Sequence, residues 1–146
     1  MTDHEESLLT LEYELTALAR VLEALNRQRN YPLERAHYLL LLQLKKGPLS
    51  IGELATTLLL DNSTVTRQIN AMVENNLIEK IPNPNDGRSA LVSSTHVGRE
   101  KAEAMHHLRF TRLKATLRDW SGEEKQTFAT LTHRLTRDLV RNMEIS

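Results

Sequence analysis

Thr64, Arg67 and Asn70 stand three residues apart in the stretch Asp61 to Leu77, DNSTVTRQINAMVENNL, and with Asn62, Ser63 and Thr66 they surround one cation with short polar side chains. Hydroxyls and amides of this size bond base edges or phosphates in a duplex groove, and an arginine can do either. On a helix, Val65, Ile69, Met72 and Val73 fall on the other side with Asn76 in line, so the four apolar residues are expected inward. Asp61 or Asn62 supplies the N-cap and leaves the positive end of the helix dipole available to phosphate. An ordinary surface helix also carries a polar face, so the residues around this one decide between the readings.

A second cluster follows in Asn83-Pro84-Asn85-Asp86-Gly87-Arg88. At the tip of a hairpin, Arg88 can enter a minor groove, where a narrow width deepens the negative potential. Asp86 can hold that guanidinium by a charge-assisted bond, and Gly87 permits the turn. The same residues also read as plain turn chemistry beside a surface arginine.

These two clusters need elements to carry them. Ser50-Ile51-Gly52-Glu53 has the spacing of a capping box, so a short helix from Ile51 to about Leu58 begins there with Leu54, Ala55 and Leu58 inward. A tight turn around Leu59 to Asn62 leads into the polar helix, which makes a helix-turn-helix. Leu77 to Ile81 and Ala90 to Ser93 read as strands of a hairpin wing, with Leu49 to Ile51 a third short strand. Upstream, Pro32 fits the first turn of a helix that reaches Lys46 and stops at Gly47-Pro48. Leu39 to Leu42 make it apolar nearly all round and therefore central. Thr95 is the expected cap of a helix running to about Arg118, with Gly98 where a side chain would crowd a neighbour. Ser121-x-x-Glu124 caps a last helix carrying Phe128, Leu131, Leu135 and Leu139 at core spacing, with Trp120 in the corner before it.

The first helix, about Glu5 to Arg29, carries Leu8, Leu11, Leu15, Leu18, Leu22 and Leu25 in alternating steps of three and four, a coiled-coil seam. Such a stripe is buried within one chain or shared between two. A shared interface is favoured, because the C-terminal third is also long helix with little else to cover; Leu131, Leu135 and Leu139 are expected to join Leu8, Leu11, Leu15 and Leu18 in it.

In order along the chain, Pro48-Leu49-Ser50-Ile51-Gly52-Glu53-Leu54-Ala55, Ser63-Thr64-Val65-Thr66-Arg67, Asp86-Gly87-Arg88 and Thr95-x-x-Gly98 resemble the winged-helix regulators of the MarR (multiple antibiotic resistance) type. The resemblance implies a mainly α fold with a small β-hairpin wing. Residues 31–95 would form a winged helix-turn-helix, and 1–30 with 96–146 a helical dimerisation region, in one compact chain without an independent linker. It implies a homodimeric, ligand-responsive repressor of transcription on a pseudo-palindromic operator, with recognition helices about one turn of duplex, roughly 34–36 Å, apart. Double-stranded DNA would be contacted by Asn62, Ser63, Thr64, Thr66, Arg67, Asn70, Asp86 and Arg88. A small aromatic or phenolic effector would sit between the dimer helices and the reading module, with His37, Tyr38 and Trp120 as candidate liners, each joining apolar area to a polar handle.

Composition bounds the alternatives. The 146 residues, 40% of them hydrophobic, fit one domain with its own core. Without cysteine there is no disulfide, no thiolate zinc site and none of the thiol chemistry of the family's peroxide-sensing branch. The acidic start MTDHEES is unlike a signal peptide and no apolar run is long enough to span a bilayer, so a cytoplasmic protein without a membrane partner is expected. A Gly-rich phosphate loop, H-E-x-x-H and a nucleophile elbow are all missing, which argues against an enzyme or a cofactor. His106 and His107 are adjacent and point about 100° apart on a helix, a poor start for a shared metal. Some relatives by resemblance bind zinc, so a metal-responsive regulator using His37, His106 or His107 stays an alternative, although no metal site is assigned. Net charge is zero, and in residues 47–95 Arg67, Lys80 and Arg88 face Glu53, Asp61, Glu74, Glu79 and Asp86, a balance of −2. That departs from the basic surface of most DNA binders and keeps open a winged-helix adaptor that binds protein instead.

Overall fold

Side chains placed at the helix starts organise the molecule. The computed structural model describes residues 2–28 and 30–145, and it divides into two compact units, one up to Met105 and one from His106 onward. The elements are α1 (Asp3–Gln28), α2 (Arg35–Gln43) with a 3-10 turn (Leu44–Lys46), β1 (Leu49–Ser50), α3 (Ile51–Leu58), α4 (Asn62–Glu74), β2 (Ile78–Pro82), β3 (Ala90–Ser94), α5 (His96–Thr116) and α6 (Gly122–Ile145). This is the mainly helical winged helix-turn-helix with a small sheet expected from the sequence. Arg29, the expected last residue of the first helix, lies outside the described residues.

Reciprocal capping boxes open α1, α3 and α6. Thr2 and Glu5, Ser50 and Glu53, and Ser121 and Glu124 each exchange backbone N–H groups for side-chain oxygens at 2.8–3.2 Å. The box at Thr2 has the same S/T-x-x-E signature as the other two and went unread in the sequence. Both helices of the helix-turn-helix end in Schellman turns. In α3, Leu60 N–H reaches the Ala55 carbonyl and Leu59 N–H that of Thr56; in α4, Leu77 N–H reaches Met72 and Asn76 N–H reaches Val73. Leu59 and Asn76 accordingly sit at φ 58° and 60°. Asparagine takes this left-handed geometry readily, whereas at Leu59 it costs about 1–2 kcal/mol.

The core lies in the first unit. Leu40, Leu41 and Leu44 from the α2 segment meet Leu54 and Ala55 of α3, Val65, Ile69 and Met72 of α4, and Val92 of β3, with Leu77, Ile78 and Met105 completing the cluster. The sheet order is β1-β3-β2, all antiparallel; Leu49 pairs with Val92, and β2 pairs with β3 from Ile78↔Ser94 to Pro82↔Ala90. The third strand expected near Leu49 is thus present, and Pro82 ends β2 on the edge of the sheet, where a missing N–H is harmless.

Three expectations need correcting. Pro32 is not in α2, which begins only after the extended Glu34 (φ −64°, ψ 147°); the bend at 32–33 turns Leu33 into the core. Val73 is 40% exposed, because about 100° per residue carries it some 70° from the centre of the Val65–Ile69–Met72 face. Phe128, Leu131 and Leu139 do not form a core in the second unit; they are exposed, as is the seam of α1 apart from the half-buried Leu25, and α1 buries no residue fully.

One contact fixes how α4, the wing and α5 join. Thr95 caps α5 by accepting from Gly98 N–H at 3.0 Å, donates its hydroxyl to the Asn76 carbonyl at 2.7 Å, and sends its own N–H to the Leu77 carbonyl at 3.1 Å. Gly98 then lies so close to Leu77 that any Cβ would overlap the Leu77 carbonyl oxygen and press on Leu41 Cδ2 at 3.3 Å. Gly98→Ala should therefore destabilise the fold by about 3 kcal/mol or more, since the obstructing atom is backbone and cannot rotate away. Chemical denaturation checks this, and a loss below about 1 kcal/mol would mean that the two helices can separate without cost.

Candidate nucleic-acid interface

The polar face of α4 is held from both ends. At its start Asp61 is the N-cap, and its Oδ1 accepts from Thr64 N–H and from the Ser63 hydroxyl, both at 2.7 Å. These bonds hold the Asp61 carboxyl down from 3.8 to about 2; the Ser63 hydroxyl contributes most, then the Thr64 amide, and Arg67 adds a small attraction. This corrects the expectation that the helix pole stands open to phosphate: an ionised carboxylate already occupies it. At the other end the Schellman turn buries Leu77, which pins the helix to the wing.

Between these anchors, Val65, Ile69 and Met72 are fully buried and the opposite side is open. Asn62, Ser63, Arg67 and Asn70 are exposed, and Thr64 and Thr66 are half-buried. Arg67 Nη2 donates to Thr64 Oγ1 at 3.3 Å, one helical turn back. Asn70 Oδ1 accepts from Lys80 Nζ of β2 at 3.5 Å. Lys80 was not singled out in the sequence as a site residue. Alternation places it on the same face of β2 as the buried Ile78 and opposite Val92 of β3, the side that packs on α4, but the pairing with Asn70 depends on how the sheet folds back and no spacing rule gives it.

In the wing, Asn85 and Arg88 N–H groups bond the side chains of Asn83 and Asp86 at 3.0 Å, and Asn83 Nδ2 reaches Ser89 Oγ at 3.1 Å. Asp86 therefore caps the amide of Arg88. It was expected to grip the guanidinium, but a carboxylate two residues upstream fits the backbone N–H of an Asx turn. Both residues are exposed. The wing tip, like the start of α4, uses acid on backbone. Glu53, Asp61 and Asp86, three of the five carboxylates in residues 47–95, are engaged by N–H groups within their own turns.

The remaining predicted site residues are scattered. His37 and Tyr38 are buried in α2, and Trp120 stands in the second unit, edge-on to Phe128 with ring centroids 5.7 Å apart. The first unit also contains a cavity of about 780 Å³ lined by Asn26, Tyr31, Arg35, Leu39, Leu60 and Gln68 among others. Gln68, on α4 beside Arg67, has a buried Oε1 with no hydrogen-bond partner among the described residues. Leu8, Leu11, Leu15, Leu18, Leu131 and Leu139 are 36–54% exposed and Leu135 is half-buried. No group of three or more metal-ligating side chains occurs among the described residues, and none of their helices is long and apolar enough to cross a membrane.

A helix-turn-helix with an exposed polar second helix and an arginine-tipped wing defines a winged-helix protein. Known proteins agree. The MarR family model matches residues 31–89. The HTH-type transcriptional regulator YxaD of Bacillus subtilis is 37% identical over 133 residues, 89% of this chain and 93% of that protein. A MarR family protein from Bacillus stearothermophilus has the same fold at a TM-score of 0.80, with 24% identity, over 96% of this chain and 99% of its own. A mutant MarR from E. coli, complexed with operator DNA, matches at a TM-score of 0.64 and 24% identity over 84% of this chain and 95% of its own. The chain belongs to the MarR family of transcriptional regulators, which is not a class of enzymes.

The Asp61 cap can be read by acid titration. Its folded value lies below its ordinary one, so its contribution is present in full above about pH 4 and is lost as pH falls through about 2. Asp61→Asn keeps a capping oxygen without the charge. The Tm difference between the two proteins should be constant from neutral pH to about pH 5 and shrink between about pH 4 and pH 2. A difference that ignores pH in that window would show that charge plays no part in the cap.

Proposed function

We propose that this regulator binds double-stranded DNA as a homodimer, lays α4 of each protomer in successive major grooves of a pseudo-palindromic operator, and represses transcription until a small molecule releases it. The observation that carries the reading is the division of α4 into a face with zero exposure at Val65, Ile69 and Met72 and a polar face on which Asn62, Ser63, Arg67 and Asn70 are exposed and Thr64 and Thr66 half-buried. Thr64, Arg67 and Asn70 read base edges, Asn62, Ser63 and Thr66 the nearby backbone, and Arg88, presented by Asp86, the minor groove. The inward use of Glu53, Asp61 and Asp86 accounts for how a module of net charge −2 can approach phosphate, and it weakens the protein-adaptor reading.

The exposed leucine seams supply the dimer. Leu8, Leu11, Leu15 and Leu18 of α1, with Leu131, Leu135 and Leu139 of α6, are what a second copy covers; residues 1–30 and 96–146 thus form the dimerisation region and 31–95 the reader, in the cytoplasm where the operator is. The cavity beside the end of α1 is the effector site. Its wall includes Arg35, which suits an acid, and Gln68, which shares α4 with the base readers. His37 and Tyr38 support that wall from within the core instead of lining it.

Arg88→Ala should weaken binding to operator and random duplex alike, whereas Thr64→Ala and Arg67→Ala should cost about 1–3 kcal/mol on the operator and alter which bases are selected. Gel shifts over a salt series, with sequences selected from a random pool, measure both effects. Equal losses on both duplexes from all three variants would refute the assignment, and a wild-type chain forming no salt-sensitive complex would favour the adaptor. For the effector, a small aromatic acid should lower operator affinity of the wild type and leave Leu39→Trp, which fills the cavity, unaffected. A response of equal size in both proteins would move the site elsewhere.

A further inference from the structure

Resting on the proposal that α4 reads bases, the geometry points to Lys80 as a specificity-determining residue that acts through Asn70, turning it from an adenine reader into a donor that prefers guanine. An asparagine in the major groove normally pairs bidentately with adenine: its oxygen accepts from N6 and its nitrogen donates to N7. Both ends of the amide must face the base for that. Here Lys80 Nζ, a group with hydrogens to give and no lone pair to take one, lies 3.5 Å from Asn70 Oδ1. The ammonium fixes which end of the amide is oxygen and draws it toward β2, so the two N–H groups of Nδ2 are left to face outward. A donor pair matches O6 and N7 of guanine, whereas the amide oxygen, turned toward β2, is directed away from the N6 hydrogen of adenine.

Arg67 itself only donates. The two exposed readers Arg67 and Asn70 therefore both offer hydrogens, and a surface of this kind selects base edges rich in acceptors. Lys80 does not need to touch a base to exert this effect. It stands on the edge strand of the sheet, ten residues along the chain from the amide it orients, and its stem spans from β2 to Asn70.

Selection from a random duplex pool tests this with four proteins: wild type, Asn70→Ala, Lys80→Met and Lys80→Arg. The base pair at which Asn70→Ala loses preference marks the position that Asn70 reads. At that pair the wild type should favour guanine over adenine by between about fivefold and about a hundredfold. Lys80→Met keeps the stem but removes the donor, so the preference there should fall or swing to adenine while other positions keep theirs. Lys80→Arg, still a donor, should restore guanine. A general loss of affinity without a change at this pair would make Lys80 an ordinary phosphate contact and overturn the inference. Adenine chosen by the wild type at the Asn70 pair would overturn it too, with the DNA-reading role of α4 intact; a wild type that retains no duplex overturns that role and the inference with it.

Discussion

The fold depends on how closely Gly98 approaches the Leu77 carbonyl. That carbonyl accepts Thr95 N–H at 3.1 Å while the Thr95 hydroxyl bonds the neighbouring Asn76 carbonyl at 2.7 Å, so α4, β2 and α5 meet within a few atoms. None of these bonds is strong by itself, since one hydrogen bond contributes about 1 kcal/mol net. Their effect is geometric: they set where the recognition helix ends, which way the wing leaves it and where α5 starts. A reader of DNA needs the helix and the wing at a fixed separation, and this junction provides that separation at the level of the backbone.

The same economy governs charge. A small domain that must meet phosphate can be basic overall, or it can spend its acid where phosphate never comes. In residues 47–95 most of the acid caps N–H groups at turns, and the few cations are left outward. The cost falls on the helix pole, which Asp61 occupies, so what α4 leaves open is its flank of donors and not its dipole. Arg67, Lys80 and Arg88 then count for more individually than cations on a broad basic surface would.

How far residues reveal such a site depends on range. Capping boxes, the turn at Asn85-Asp86-Gly87 and the buried face of α4 follow from local spacing, and the structure has them; the tight seat of Gly98 was legible because a glycine in a helical run needs a reason. What escaped requires two distant pieces of chain. Lys80 against Asn70 depends on the return of the hairpin, the cavity on the packing of the 30–36 segment beside the α3–α4 turn, and the start of α2 on the burial of Leu33, which outweighed the preference of Pro32 for a first helical turn. His37 and Tyr38 pose the converse problem: their amphipathic side chains fit a cavity wall and a core equally, and only neighbours decide. In the wing, proximity in sequence misled, since Asp86 and Arg88 are two residues apart and the backbone claims the carboxylate first.

The exposed leucines tie assembly to folding. A helix of 26 residues that buries nothing gains little from propensity alone and draws its stability from whatever covers its apolar stripe. Each leucine fully covered contributes about 2 kcal/mol, so in the proposed dimer enclosing the α1 seam offsets part of the entropy of ordering the helix. The end of that helix supplies Asn26 to the cavity, and Gln68 on the far wall belongs to α4. On the proposed reading, a molecule seated there touches the dimer helix and the base-reading helix together. Because Gln68 Oε1 is already desolvated without a partner among the described residues, an occupant offering one hydrogen gains a bond at no desolvation cost to the protein side. The proposed release by a ligand would then need no long path through the molecule, only a change in the seat of one helix that shifts Arg67 and Thr64 with Gln68.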